Sequence, residues 1–277
     1  MRSYSAKDKM EGEGKTIFFY GPPSFSKTHS SMSLDGKTRF INCEAKDPRT
    51  VIGDSDKIHV YDDFTNFDDM MDCLNGFVEE VRNGKPDYQN LFFDGASFQA
   101  GKFKMELEDA HYAKMREKDR GKEPGLFERL SMGEDGRRGW GMLASAMSRI
   151  TNITSVLTKY GVNVIMSAWE MENPKYSGIG GEALDYGPYF QGKEFSNMIS
   201  GYFDLIGRII IPPVFMEDGK VKDAVISFVQ INADELRDGE KNYGVYLCRA
   251  TGKMIPRGKR VPLNWGKIIG FLNKEEK

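Results

Sequence analysis

Five short runs of this chain are apolar along nearly their whole length, and they alternate with segments of helical character. They are 16–20 (TIFFY), 38–43 (TRFINC), 57–61 (KIHVY), 90–94 (NLFFD) and 162–168 (VNVIMSA). A strand that is apolar at every position, rather than at every second one, needs cover on both of its faces. Between the third and fourth runs, Phe67, Met70, Met71, Leu74, Phe77, Val78 and Val81 recur at helical spacing. A helix is also predicted from near Lys27, and a long one over 140–160. Strands alternating with helices through the first 170 residues specify an α/β chain, with a mostly parallel central sheet flanked by helices. Runs at 202–212, 224–231 and 243–248 predict an antiparallel C-terminal extension, and 264–273 a closing helix.

Of the 277 residues, 39% are hydrophobic and 12% aromatic, enough for a sizeable core. Residues 1–13 read as a polar leader and 14–277 as one domain, with a charged, partly helical insertion or loop near 101–138. A net charge of −2 argues against nucleic-acid binding by bulk charge but leaves room for local basic patches. Cys43, Cys73 and Cys248 lie far apart without a C-x-x-C pair, which predicts a reduced protein without a zinc module. No apolar run reaches the roughly 18–20 residues that span a bilayer, and the leader lacks a signal peptide's apolar core. A cytoplasmic protein with no membrane partner is expected.

The first strand runs into Gly21-Pro22-Pro23-Ser24-Phe25-Ser26-Lys27-Thr28. This is the phosphate-loop pattern G-x-x-x-x-G-K-[ST] with serine in place of the second glycine. Two other Gly-Lys-Thr triplets, at 14–16 and 36–38, lack both the leading glycine and the strand–loop–helix context. In that context successive backbone N–H groups wrap the phosphates of ATP. Lys27 reaches the β- and γ-phosphates, and the Thr28 hydroxyl ligates Mg²⁺. Ser26 keeps the backbone N–H but gives up glycine's freedom at positive φ.

Two acids follow in order. Asp94 ends an apolar strand, where a Mg²⁺-organising carboxylate of a phosphate-loop enzyme belongs. Glu44 follows the strand TRFINC, in place to hold and deprotonate an attacking water. Alone, Asp94 is more commonly a strand-terminal turn acid, and Glu44 reads also as a surface loop acid. Loop, glutamate and aspartate in this order point together to a nucleotide site.

On these motifs the chain resembles the phage-type AAA/RecA-like nucleotide-binding proteins, among them ATPases of single-strand DNA annealing and recombination. INCEAKDP is similar to their catalytic-glutamate strand, 90–97 (NLFFDGAS) to their Walker B strand, 162–170 to the strand ending in a polar γ-phosphate sensor, and 203–208 to the strand after it. GKRVPL at 258–263 resembles a basic element before a final helix. The resemblance implies a RecA-like P-loop NTPase fold, ATP and Mg²⁺ as cofactors, and a place in the host cytoplasm for a phage-encoded protein. It assigns Gly21, Lys27 and Thr28 to nucleotide binding, Asp94 to the Walker B acid and Glu44 to the base. Self-association as a ring or filament is implied, with Arg257, Lys259 or Arg260 reaching a neighbour's nucleotide or DNA. The chain departs from the pattern at Ser26, and at Trp169, which stands where a polar sensor is expected.

Basic residues of the 101–138 segment, with Phe103 and Tyr112 interleaved, suggest a track for single-stranded nucleic acid, although nearby acids nearly cancel their charge. The leading expectation is a Mg²⁺-dependent ATPase acting on single-stranded DNA. A nucleotide-responsive binding or scaffold protein with little hydrolysis is the alternative, motivated by Ser26 and Trp169. A small-molecule kinase is a weaker one.

Overall fold

The structure is a computed structural model that describes residues 13–22, 27–62, 64–84, 86–115, 126, 134–172, 186–190, 202–210, 225–228, 245–247, 254–256 and 260–273. The first strand, β1 (Thr16–Gly21), leads to a single helical turn, α1 (Lys27–Ser30), and a 3₁₀ turn over Ser31–Ser33. Then come β2 (Thr38–Asn42), α2 (Arg49–Ile52), β3 (Ile58–Tyr61), α3 (Phe67–Asn83) and β4 (Asn90–Asp94). Two long helices follow, α4 (Ala96–Lys114) and α5 (Glu134–Thr158), and then β5 (Asn163–Glu172) and β6 (Tyr186–Pro188). The remaining elements are β7 (Leu205–Ile210), β8 (Val225–Phe228), β9 (Val245–Leu247), β10 (Met254–Pro256), β11 (Arg260–Pro262) and α6 (Trp265–Asn273).

Six strands pair in parallel in the order β3-β2-β4-β5-β1-β7. Beyond β7 the sheet turns antiparallel through β8 and β11, and β6 pairs antiparallel with the outer part of β5. The uniformly apolar strands are explained by two cores. Phe18, Tyr20, Leu91, Phe93, Val164 and Met166 face α3, α4 and α5 on one side. Ile17, Phe19, Phe92 and Ile165 pack on the other side with Trp265, Ile268 and Leu272 of α6. α3 buries Met70, Met71, Leu74, Phe77, Val78 and Val81, the stripe read from its periodicity, and Asn66 caps it by accepting the Asp69 N–H at 2.9 Å.

Three local expectations change. Of the two expectations for the charged 101–138 segment, partly helical or loop, its first part follows the helical one and continues α4 as far as Lys114, but as a helix packed on the sheet rather than a solvated insertion. Its charges mask a narrow apolar stripe of Ala96, Ala100 and Phe103, which is all a helix lying on a sheet requires. Phe103 is 2% exposed and edge-on to Phe67 at 4.5 Å, so it belongs to the core and cannot stack on a base. The rest of that segment up to 133 lies outside the described residues, Met115 and Leu126 excepted.

The helix predicted from Lys27 is only one turn long. The Ser30, Ser31 and Ser33 hydroxyls donate to the carbonyls of Lys27, Thr28 and Ser30, at 2.5, 2.7 and 2.6 Å. Such back-bonding competes with helical geometry and tightens the chain into the 3₁₀ turn. β5, in turn, outruns its apolar run, because pairing with β6 carries it through Trp169 and Glu170.

At the end of the sheet opposite the predicted loop, Arg39 ties four elements together. Its guanidinium lies 4.1 Å from the Tyr88 ring centre, 4.5 Å from Phe77 and 5.9 Å from Tyr61, and pairs with Glu80 at 2.6 Å and Asp87 at 3.4 Å. A planar cation can stack and form a salt bridge at once, whereas an ammonium cannot do both. Arg39→Lys is therefore expected to cost about 1–2 kcal/mol in urea unfolding. A loss within experimental error would show the cage to be decorative.

Candidate functional site

The carboxyl ends of β1, β2, β4 and β5 meet at one edge of the sheet. The strand order reverses there, with β2 and β3 on one side of β1 and β7 on the other, and α/β sheets bind ligands at such a reversal. Register sets the neighbours: Gly21 pairs with Trp169, Asn42 with Asp94, and Phe93 with Met166. Asp94 consequently stands beside Ser167, one residue on in each strand.

Asp94 is 2% exposed. Its Oδ2 accepts the Thr28 hydroxyl at 2.6 Å and its Oδ1 the Ser167 hydroxyl at 2.5 Å. Ser167 in turn accepts the Gly95 N–H at 2.9 Å. Burial pushes the Asp94 carboxyl above the usual carboxylate range, and Glu44 adds to this, while the two hydroxyls and the charge of Lys27 pull the other way. Lys27 is 6% exposed and donates to the carbonyls of Gly21 at 3.1 Å and Pro22 at 2.5 Å. Burial lowers its pKa, opposed by the negative charges of Asp94, Glu44 and Glu170.

Glu44 comes just after β2, in a turn held by the Asn42 side chain. Asn42 accepts the Glu44 N–H at 3.2 Å and donates to the Lys46 carbonyl at 3.0 Å. The Oε1 atom of Glu44 accepts the indole N–H of Trp169 at 3.1 Å. Its Cγ lies against Gly95, where a Cβ would stand 2.7 Å away, and Gly95 adopts φ +88°. Glycine is needed there on both counts. Gly21 has a packing reason of its own, since a Cβ would meet Ile209 Cβ at 2.8 Å. At the ends of β5 and β7, Glu170 pairs with Arg208 at 3.0 Å, both side chains largely buried.

The structure thus brings together Gly21, Pro22, Lys27, Thr28, Glu44 and Asp94, all singled out from the sequence. Pro23, Ser24, Phe25 and Ser26 lie outside the described residues, as do Arg257 and Lys259. Arg260 opens β11 at the sheet margin, opposite Ser227 and three strands from β1. Sequence reasoning missed Ser167 and Gly95. Ser167 was visible as the lone hydroxyl inside an apolar run, but only strand register gives it Asp94 as a partner. The Thr28 hydroxyl and the Asp94 carboxylate are hard oxygen donors of the kind a small divalent cation takes, beside an ammonium that loop carbonyls hold in place.

Because the folded chain holds a proton on Asp94 more tightly than the unfolded chain does, the stability this group contributes is fullest in acid. It is lost as pH rises through the folded pKa. Asp94→Asn, never charged, is expected to raise stability by about 1 kcal/mol at neutral pH. The gain should disappear below about pH 4, the ordinary carboxylate value. Urea titrations at the two pH values decide it, and an equal gain at both would mean that packing, not charge, is responsible.

No protein-family model matches the chain, and no curated protein matches it either.

Proposed function

We propose that this chain is a Mg²⁺-dependent, RecA-like P-loop ATPase that acts on single-stranded DNA in phage-type recombination, annealing or replication, assembling as a ring or filament. The observation that carries the nucleotide reading is the 2.6 Å contact between Thr28 Oγ1 and Asp94 Oδ2. It joins the residue after the loop lysine to the acid of a strand two places away in the sheet. A plain turn acid and a plain helix threonine have no reason to meet at the buried end of a central strand.

The residues fit a magnesium ion. Thr28 and Asp94 would hold it, and burial leaves the Asp94 carboxylate short of positive charge. When bound, the ion supplies charge neutralisation for the phosphate oxygens. The protein's own groups do the rest. Lys27 exchanges its loop carbonyls for β- and γ-phosphate oxygens, and the negative charges of Asp94, Glu44 and Glu170 oppose the lowering of its pKa by burial. Ser167 fixes the plane of the Asp94 carboxylate. Glu44 takes a proton from the attacking water as the water oxygen bonds to the γ-phosphorus and the bond to the ADP oxygen breaks.

The DNA partner and the assembly rest on the resemblance of the motifs and on the basic stretches of the sequence. On α4, Lys102 lies over the Phe98 ring at 5.3 Å and Lys104 over Trp140 at 5.5 Å, both on the chain segment that leaves Asp94.

ATP turnover of wild type and Lys27→Ala, with and without a single-stranded oligonucleotide, tests the proposal. Wild type should hydrolyse ATP, faster with the oligonucleotide, and lose turnover in excess chelator. Lys27→Ala should be slower by roughly a hundredfold or more. Turnover indifferent to Lys27 and to the chelator would overturn the enzymatic reading, and indifference to the oligonucleotide the DNA reading.

A further inference from the structure

We infer that Trp169 is a positioning residue for Glu44, and that the reaction uses its indole N–H rather than its ring. The inference rests on the hydrolytic reading above. On sequence pattern Trp169 is a departure, since a tryptophan cannot accept a hydrogen bond through its ring nitrogen. The geometry gives it a different task, which a donor-only group suits.

The indole is itself firmly placed. Its residue's backbone N–H donates to the Ser97 hydroxyl at 3.0 Å, and its carbonyl accepts the Tyr189 N–H at 2.7 Å. Ser97 closes the circuit by donating to the Tyr189 carbonyl at 2.5 Å. The ring stands edge-on to Phe98 with centroids 6.2 Å apart. α4, β5 and the strand β6 together aim the indole N–H at Glu44.

The Cγ of Glu44 also lies against Gly95, where a Cβ would stand 2.7 Å from it. The side chain is thus held by a close approach at its Cγ and by a charge-assisted hydrogen bond at its carboxylate. Its Oε1 is occupied, and its Oε2 has no protein partner among the described residues. A group that only donates holds one carboxylate oxygen without competing for the water's proton, which leaves Oε2 to take it. A catalytic carboxylate on a turn gains most from such a hold, because a misplacement of about 1 Å costs up to about a hundredfold in rate.

Trp169→Phe keeps the ring contact with Phe98 and removes only the donor. Trp169→His shrinks the ring and restores an N–H. The expected result is a fall in kcat of roughly tenfold or more for Trp169→Phe, with KM for ATP within about twofold of wild type and partial recovery in Trp169→His. A kcat for Trp169→Phe within about twofold of wild type would overturn the inference, as would equal losses in the two variants, which assign the role to the ring. Glu44→Gln, measured alongside, separates the layers. Turnover that needs Glu44 but not the indole N–H leaves the hydrolytic reading standing and removes this one, whereas turnover that does not need Glu44 removes both.

Discussion

A carboxylate buried at the end of a central strand is the constraint around which this molecule is built. Without partners, the charge of Asp94 would cost several kcal/mol to remove from water. The chain offsets that cost with two hydroxyls from elements far apart in sequence, Thr28 and Ser167, and with the ammonium of Lys27 nearby. All three depend on the strand order. Were β5 not seated between β1 and β4, Ser167 could not stand beside Asp94 and occupy Oδ1 while Thr28 occupies Oδ2. The parallel sheet and its two cores thus hold together a site that is electrostatically unfavourable by itself.

The turn that carries Lys27 and Thr28 could not stand alone. Four residues of α-helix fall well short of what is stable in isolation. The support comes from the far end of the chain. Trp265, fully buried, donates its indole N–H to Ser30 Oγ at 2.9 Å and its backbone N–H to Ser33 Oγ at 2.8 Å, and its ring lies 4.7 Å from Phe19. α6 thereby braces both ends of the 3₁₀ turn that follows α1. The serines that shorten the helix are the same ones that receive the brace, so the short helix is a fixed platform rather than a frayed end.

The parts legible in the sequence are those governed by local pattern. β1, β2 and β4 could be read because burial on both faces leaves an uninterrupted apolar run, and α3 because its stripe is wide. Lys27, Thr28, Glu44 and Asp94 could be read because each follows a strand end, and strand ends converge in a parallel sheet. What escaped depends on register or on a minority of residues. The apolar stripe of α4 is three residues wide among many charges. Ser167 acquires its meaning only from lying beside Asp94, and Trp169 only from pairing with Gly21 while β6 extends β5 past the sheet edge.

That extension has a mechanical consequence. The residues that fix Trp169 come from the first turn of α4 and from the segment just after β6, while those that fix Asp94 come from α1 and β5. Asp94 and Glu44 are therefore held by different hydrogen bonds, joined through the short β5 link from Ser167 to Trp169 and through Gly95, whose N–H donates to Ser167 and which packs against Glu44. A shift of the segment after β6 would move the indole, and with it Glu44, while Asp94 kept both of its hydroxyls. On the proposed ATPase reading, such partly separate supports would let nucleotide binding and hydrolysis be adjusted independently.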